Sequence, residues 1–398
     1  MKKTFSKSFT QQEMIPTQGI DAAVNVMQSG RLHRYNTLPN ELSETDLLEI
    51  EFADYLGLPY CLSCASGGYA LHIALRAADI EPGDKVLCNA FTLAPVAGSI
   101  HNSGGIPLLV ETDDNLCIDL EDLAIKASAD DVRFFMLSHM RGHIADMDRI
   151  MDICEQHDLL LIEDCAHTMG ASWNGQKSGT FGDIACFSTQ TYKHINSGEG
   201  GLLCCSNDQI MAKAIIHSGS YMLFEHHQAS PNKSTFDHIK LNTPNYSGRM
   251  DNLRAAILRP QLAGLDQQCV RWNERYAVLV NILGLSPVIS LVQRPKKEEF
   301  VASSIQFSLP SASVNEIENI ICQCQERGVT LKWFGNNEPE GYTSRYDSWQ
   351  YINGMPTLPK TQKILSTLLD MRIPLTFSHD DCKLVAEIIC DVVEEILT

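Results

Sequence analysis

The chain has 398 residues, 44% of them hydrophobic and 20% charged; that supports a large core, excludes a disordered chain, and is too long for one small domain. A formal net charge of −18, spread along the length without an acidic tail, implies a solvated acidic exterior and excludes nucleic acid as an expected partner, while leaving room for a local cationic pocket. The start Met1-Lys2-Lys3-Thr4-Phe5 runs into polar residues, and no 18-residue apolar window follows, so we expect no membrane span, a cytoplasmic location, and 14 cysteines serving as buried thiols.

In chain order, residues 1–40 read as a lead-in segment with a loop at Asn36–Asn40. Cys61 and Cys64 have C-x-x-C spacing but no second pair and no histidine at finger distance, so no metal is expected there. A helix over Tyr69–Ala78 follows a glycine pair. Strands are expected at Val86–Asn89, Pro107–Val110, Arg133–Leu137, Leu159–Ile162, Ile184–Phe187 and Gly201–Cys205. Helices at Asp146–Gln156, with Asp146 as its cap, and at Ile210–His217, after the Asn207-Asp208 turn, alternate with them. Ser230–Thr235 reads as a loop. This alternation makes 1–265 a large α/β domain with a mostly parallel central sheet, whose reactive groups belong at the carboxyl edge. Beyond it come a helix at Gln267–Leu283, a strand at Ser304–Leu309, a helix at Val314–Arg327, an aromatic-rich stretch from Lys332 to Tyr351 and a last helix at Asp380–Leu397. Residues 266–398 are thus expected to form a smaller α+β domain.

The Gly-x-Gly-x-x-Gly, P-loop and His-Glu-x-x-His signatures are all absent. Instead Leu159-Leu-Leu-Ile-Glu163-Asp164-Cys-Ala-His167 is followed by Gly179-Thr-Phe-Gly182-Asp183 and by Ser188-Thr-Gln-Thr-Tyr-Lys193-His-Ile-Asn-Ser-Gly198-Glu199-Gly200-Gly201. In order and spacing these residues resemble the DegT/StrS-type aminotransferases, fold-type I pyridoxal 5′-phosphate enzymes that mostly aminate keto-sugars. The resemblance runs from about Arg31 to residue 265 and continues more weakly to the C-terminus. It implies that Lys193 holds the cofactor as a Schiff base and later shuttles a proton. It also implies that Asp164, a carboxylate at the end of an apolar strand, keeps the pyridinium nitrogen protonated, and that His167 meets the phenolic oxygen or the ring face. Read without the resemblance, Asp164 is a helix cap and His167 a satisfied core histidine.

Cys64-Ala-Ser66-Gly67-Gly68-Tyr69-Ala-Leu71 resembles the family's phosphate turn, in which backbone N–H groups at a helix start bind an anion. Gly67 and Gly68 are the expected contacts, with Gly68 standing where the family usually has a hydroxyl residue. Ser188, five residues before the lysine, is a further phosphate ligand by resemblance. Asn245-Tyr-Ser247-Gly248-Arg249-Met resembles a stretch whose asparagine reaches the neighbouring subunit's phosphate; Ser247 aligns rigidly, Asn245 after a two-residue adjustment. The resemblance therefore implies a homodimer with shared active sites. In Phe91-Thr92-Leu93, Leu93 replaces the aromatic residue that usually stacks on the cofactor.

Arg141, in His139-Met140-Arg141-Gly142-His143, is a cation where the family is usually uncharged, so it is a candidate for a carboxylate or phosphate of substrate or donor. Trp333 and Arg345, in Lys332-Trp333-Phe334-Gly335 and Thr343-Ser344-Arg345-Tyr346, are candidates for the substrate wall of the small domain. The expected activity is transfer of an amino group from glutamate or glutamine to a keto-sugar or related polyhydroxylated carbonyl acceptor. The alternatives are another pyridoxal-phosphate reaction, such as a dehydration, for which the family typically carries histidine in place of Lys193, and a non-catalytic regulatory protein with the same fold.

Overall fold

The computed structural model describes residues 2–398. Seven short strands form the central sheet: β1 (Tyr60–Cys64), β2 (Lys85–Asn89), β3 (Ile106–Val110), β4 (Val132–Ser138), β5 (Leu160–Asp164), β6 (Ile184–Ser188) and β7 (Gly201–Cys205). Their order is β1-β7-β6-β5-β4-β2-β3. The run β6-β5-β4-β2-β3 is parallel, whereas β7 is antiparallel to both β6 and β1. Buried residues dominate these strands because helices cover both faces. Six of the seven follow the apolar runs in the sequence. The seventh, β1, is not anticipated by them, since Tyr60 and Ser63 interrupt its apolar pattern.

The crossover helices start where short polar side chains can cap them. Asp146 accepts from the Arg149 N–H ahead of Met147–His157, and Asn207 accepts from the N–H groups of Gln209 and Ile210 ahead of Asp208–His217. The long helix Leu265–Leu283 leads into a second, antiparallel sheet, ordered Ser290–Leu291, Ser304–Ser308, Leu368–Arg372, Lys332–Trp333. Its side chains alternate between two environments. Ile305, Phe307, Leu369, Met371 and Trp333 join the core under the helices Leu265–Leu283, Val314–Glu326 and His379–Leu397. Ser304, Lys332 and Arg372 instead line a cavity against the central sheet.

The first residues pack on this C-terminal layer. Phe5, Phe9 and Phe377 form an edge-to-face triangle with centroids 4.9 to 5.8 Å apart. The Phe5 N–H donates to the Arg327 carbonyl (2.8 Å), and Lys2, Lys3 and Lys7 pair with Glu395, Glu387 and Asp381. From Thr17 the chain turns into a helix, Thr17–Ser29, that packs on Asn252–Ala263 beside the central sheet.

Candidate active site

A cavity of about 300 Å³ opens at the carboxyl ends of the parallel strands, the edge where an open α/β sheet presents its loops. Asp164 is the last residue of β5, and its carboxylate is held from two sides. Its Oδ2 accepts from Ser138 Oγ at the end of β4 (2.8 Å), and its Oδ1 accepts from the Ala166 N–H (3.1 Å). Ser138 Oγ in turn accepts from Thr92 Oγ1 (2.8 Å), while the Asn89 amide exchanges two hydrogen bonds with the Ser138 backbone. Four residues from three strand ends thus fix one carboxylate that faces the cavity.

Its neighbour Glu163 points to the other face of the sheet, as strand alternation requires. There Oε1 accepts from the N–H groups of Phe181 and Gly182, and Oε2 accepts from the Gly179 N–H and lies 3.2 Å from His139 Nε2. Asp183 completes the clamp by accepting from the Leu161 N–H (2.8 Å). The fit is tight enough that a Cβ on Gly182 would sit 2.7 Å from the Leu161 carbonyl oxygen. The Glu-Asp and Gly-x-x-Gly-Asp motifs therefore belong to one device, in which Glu163 holds the loop and Asp164 faces the ligand. His139, Glu163 and Cys165 also cluster closely enough to resemble a metal-binding group, but Glu163 already accepts from three backbone N–H groups.

Lys193 lies in the loop after β6, which is folded back by hydrogen bonds from the Thr189 N–H to the Gly200 carbonyl and from the Ser197 N–H to the Thr189 carbonyl. Its Nζ is 2.9 Å from His167 Nε2. Burial, reinforced by Arg141, Arg372 and Lys332 and opposed by Asp164, pushes Lys193 down to about 7. Burial, reinforced by Lys193, Arg141 and Lys332, holds His167 well below its ordinary range, so the ring is neutral.

On the β1 side, Ser66 caps the helix Gly67–Ala77 by accepting from the Tyr69 N–H (3.1 Å). The Gly67 and Gly68 N–H groups, in the first turn, have no intrahelical partner. Gly67 is pressed against Ser188, where a Cβ would fall 2.8 Å from the serine Cβ. Two helix-start donors and the Ser188 hydroxyl thus share one corner of the cavity, with Leu93 on its wall. The donor set fits pyridoxal 5′-phosphate: an anion cradle at Ser66–Gly68 and Ser188, a fixed carboxylate at Asp164, and a half-buried lysine with a depressed proton affinity.

The same cavity gathers Arg141 together with Lys332 and Arg372, which sequence reading passed over. Their signal is the period-two pattern: Lys332 alternates with buried Trp333, and Arg372 with Met371. Three candidates lie elsewhere. Trp333 faces the core, its Nε1–H donating to the Ser366 carbonyl (2.9 Å), because its strand neighbour Lys332 takes the cavity face. Arg345 is committed to Asp347 and to Asn337 Oδ1 (2.7 Å). Asn245 is exposed and accepts from the Tyr221 N–H (2.7 Å), outside this cavity.

Residues 17–390 match the DegT/DnrJ/EryC1/StrS aminotransferase family. The chain belongs to this family. Among characterised relatives, the GDP-perosamine synthase of Caulobacter vibrioides is 33% identical over 62% of this chain and 65% of that protein. The L-glutamine:2-deoxy-scyllo-inosose aminotransferase of Streptomyces kanamyceticus is 31% identical over 63% of this chain and 59% of that protein. The matched stretch spans less than two thirds of each relative. An aminotransferase from Psychrobacter cryohalolentis superposes with a TM-score of 0.83 at 22% identity, covering 98% of this chain and 100% of that one; it shares the fold.

Proposed function

We propose that this DegT-family chain is a pyridoxal 5′-phosphate aminotransferase that moves an amino group from glutamate or glutamine to a keto-sugar or related polyhydroxylated carbonyl compound. The observation that carries this reading is Lys193: half-buried, held to a pKa of about 7, 2.9 Å from His167, and sharing one cavity with Asp164, Ser188 and the Ser66–Gly68 helix start. When bound, the cofactor supplies an electron sink for the carbon that loses its proton.

Each residue has a defined task. Lys193 anchors the cofactor covalently and, once released, carries a proton to and from the reacting carbon with an Nζ that is neutral in part at physiological pH. Asp164, fixed by Ser138 and Ala166, holds the proton on the ring nitrogen. Neutral His167 orients the Lys193 amine. Gly67, Gly68 and Ser188 hold the phosphate, and Leu93 packs apolar surface on the ring. His194, the next residue, turns away: its ring lies edge-on against Trp272 (5.1 Å) and 3.3 Å from Ser303 Oγ.

A homodimer fits the surface. Ile20, Met27, Leu32, Leu241 and Tyr246 are all at least about half exposed, apolar side chains that a second copy would cover. In that dimer Asn245, one residue from Tyr246, is the residue we infer to meet a second copy's phosphate. No described helix is long and apolar enough to cross a membrane, and all 14 cysteines are free, which fits residence in a reducing cytoplasm.

The test is spectroscopic. Purified protein is expected to carry an absorbance band that borohydride fixes onto Lys193, and glutamate is expected to convert that band with release of 2-oxoglutarate. A colourless protein that takes up no added cofactor overturns the proposal.

A further inference from the structure

The cavity wall opposite the cofactor cradle carries more positive charge than the cofactor needs. Arg141 follows β4 in a left-handed conformation (φ 56°), a backbone state that disfavours a side chain as large as arginine. It is 8% exposed. Its Nη2 lies 3.1 Å from Asp370 Oδ2, yet neither Nε nor Nη2 has a hydrogen-bond acceptor. Lys332 Nζ lies 3.9 Å from the same Asp370 oxygen. Asp370 Oδ1 is already used, accepting from Gln306 Nε2 (2.7 Å). The third cation, Arg372, stacks its guanidinium on the Tyr192 ring 3.4 Å from the centroid and has no paired carboxylate among the described ion pairs. One carboxylate thus pairs with two cations, and a third, Arg372, has none, at the wall of one cavity.

Cations partly withdrawn from water without a full set of acceptors are costly unless an anion completes them. Glutamate would complete them while it is bound. A double-displacement transaminase, however, binds donor and acceptor in turn at the same place, and a neutral acceptor would leave the wall uncompensated in the second half of the cycle. We propose that Arg141, Lys332 and Arg372 form one anion subsite used in both half-reactions, and that the acceptor is therefore a carboxylate-bearing polyhydroxylated carbonyl compound, not a neutral sugar. This rests on the transaminase reading above and adds the class of acceptor to it.

Binding to the cofactor-loaded protein tests it by calorimetry with unreactive or slow probes. The amino form, prepared with glutamate, is titrated with D-glucuronate, D-glucose and D-glucose 6-phosphate; the aldehyde form is titrated with glutarate as donor analogue. Glucuronate and glutarate are expected to bind, glucose at least about ten-fold more weakly, and Lys332→Gln or Arg372→Gln to weaken both acids by at least about ten-fold. The variants' melting temperature and cofactor absorbance identify any variant that has failed to fold, and the comparison of glucuronate with glucose in the unaltered protein needs no variant at all. Equal binding of glucose and glucuronate overturns the proposal, as does loss confined to glutarate, which would make the subsite one for the donor alone. Preferential binding of glucose 6-phosphate overturns it in favour of a phosphorylated acceptor. If glutamate cannot generate the amino form in the first place, it is the transaminase reading that fails.

Discussion

Lys193 and Asp164 line one cavity, and solvation sets the state of the lysine. Burial lowers Lys193 from the ordinary lysine range to about 7, so its amine is nucleophilic above that pH and protonated below it. The rate at which cofactor-free protein captures pyridoxal phosphate is therefore expected to fall as pH drops through about 7, read from growth of the absorbance band. The stability consequence has a definite sign. Between pH about 7 and about 10 the unfolded chain holds a proton that the folded, cofactor-free protein does not, so this group's contribution to stability rises with pH across that window. Lys193→Met, which removes the buried charge, is expected to stabilise the cofactor-free protein most below pH 7, an advantage that shrinks toward pH 10 in urea titrations. Ser138 acts through Asp164. Ser138→Ala deletes the hydrogen bond to Oδ2, and because bonds to charged groups contribute about 1.5–3 kcal/mol, cofactor affinity measured by fluorescence quenching is expected to fall by roughly ten-fold or more.

At the scale of elements, strand β5 ends in two carboxylates with opposite duties, and only one of them touches the ligand cavity. Glu163→Gln would turn an amide donor toward at least one of the three backbone N–H groups the carboxylate now satisfies, a mismatch expected to cost about 2–4 kcal/mol, measured as a fall in the urea midpoint. The motif residues Asp164, His167, Ser188 and Lys193 were legible in the sequence because they sit on consecutive strand ends and loops, so their order along the chain mirrors their arrangement in space. Lys332 and Arg372 were not, since they reach the cavity from a second sheet and nothing near them in sequence marks the meeting. Their alternation with Trp333 and Met371 was visible, but which face would turn toward the cavity depends on the long helix Leu265–Leu283 and its partners. The same alternation explains why Trp333, chosen as the more conspicuous residue, lies in the core. Strand β1 was hidden for a similar reason: antiparallel pairing with β7 along all its residues holds a segment whose own pattern is weak.

At the scale of the molecule, the C-terminal layer is assembled from both ends of the chain. Phe5 and Phe9 are each 7% exposed and pack on Phe377. Phe5→Ala or Phe9→Ala is expected to destabilise the protein by about 3–5 kcal/mol, seen as a lower melting temperature, although neither residue lies within the cavity. The Lys3 carbonyl accepts from Arg327 Nε across 324 positions of sequence. Such a contact closes late, because the chain between its ends must be ordered first. On the ribosome the two phenylalanines emerge long before Phe377. A chain that stops short of Phe377 therefore leaves a pair of aromatic rings uncovered, a tag of incompleteness that chaperones and proteases can read before the site has formed.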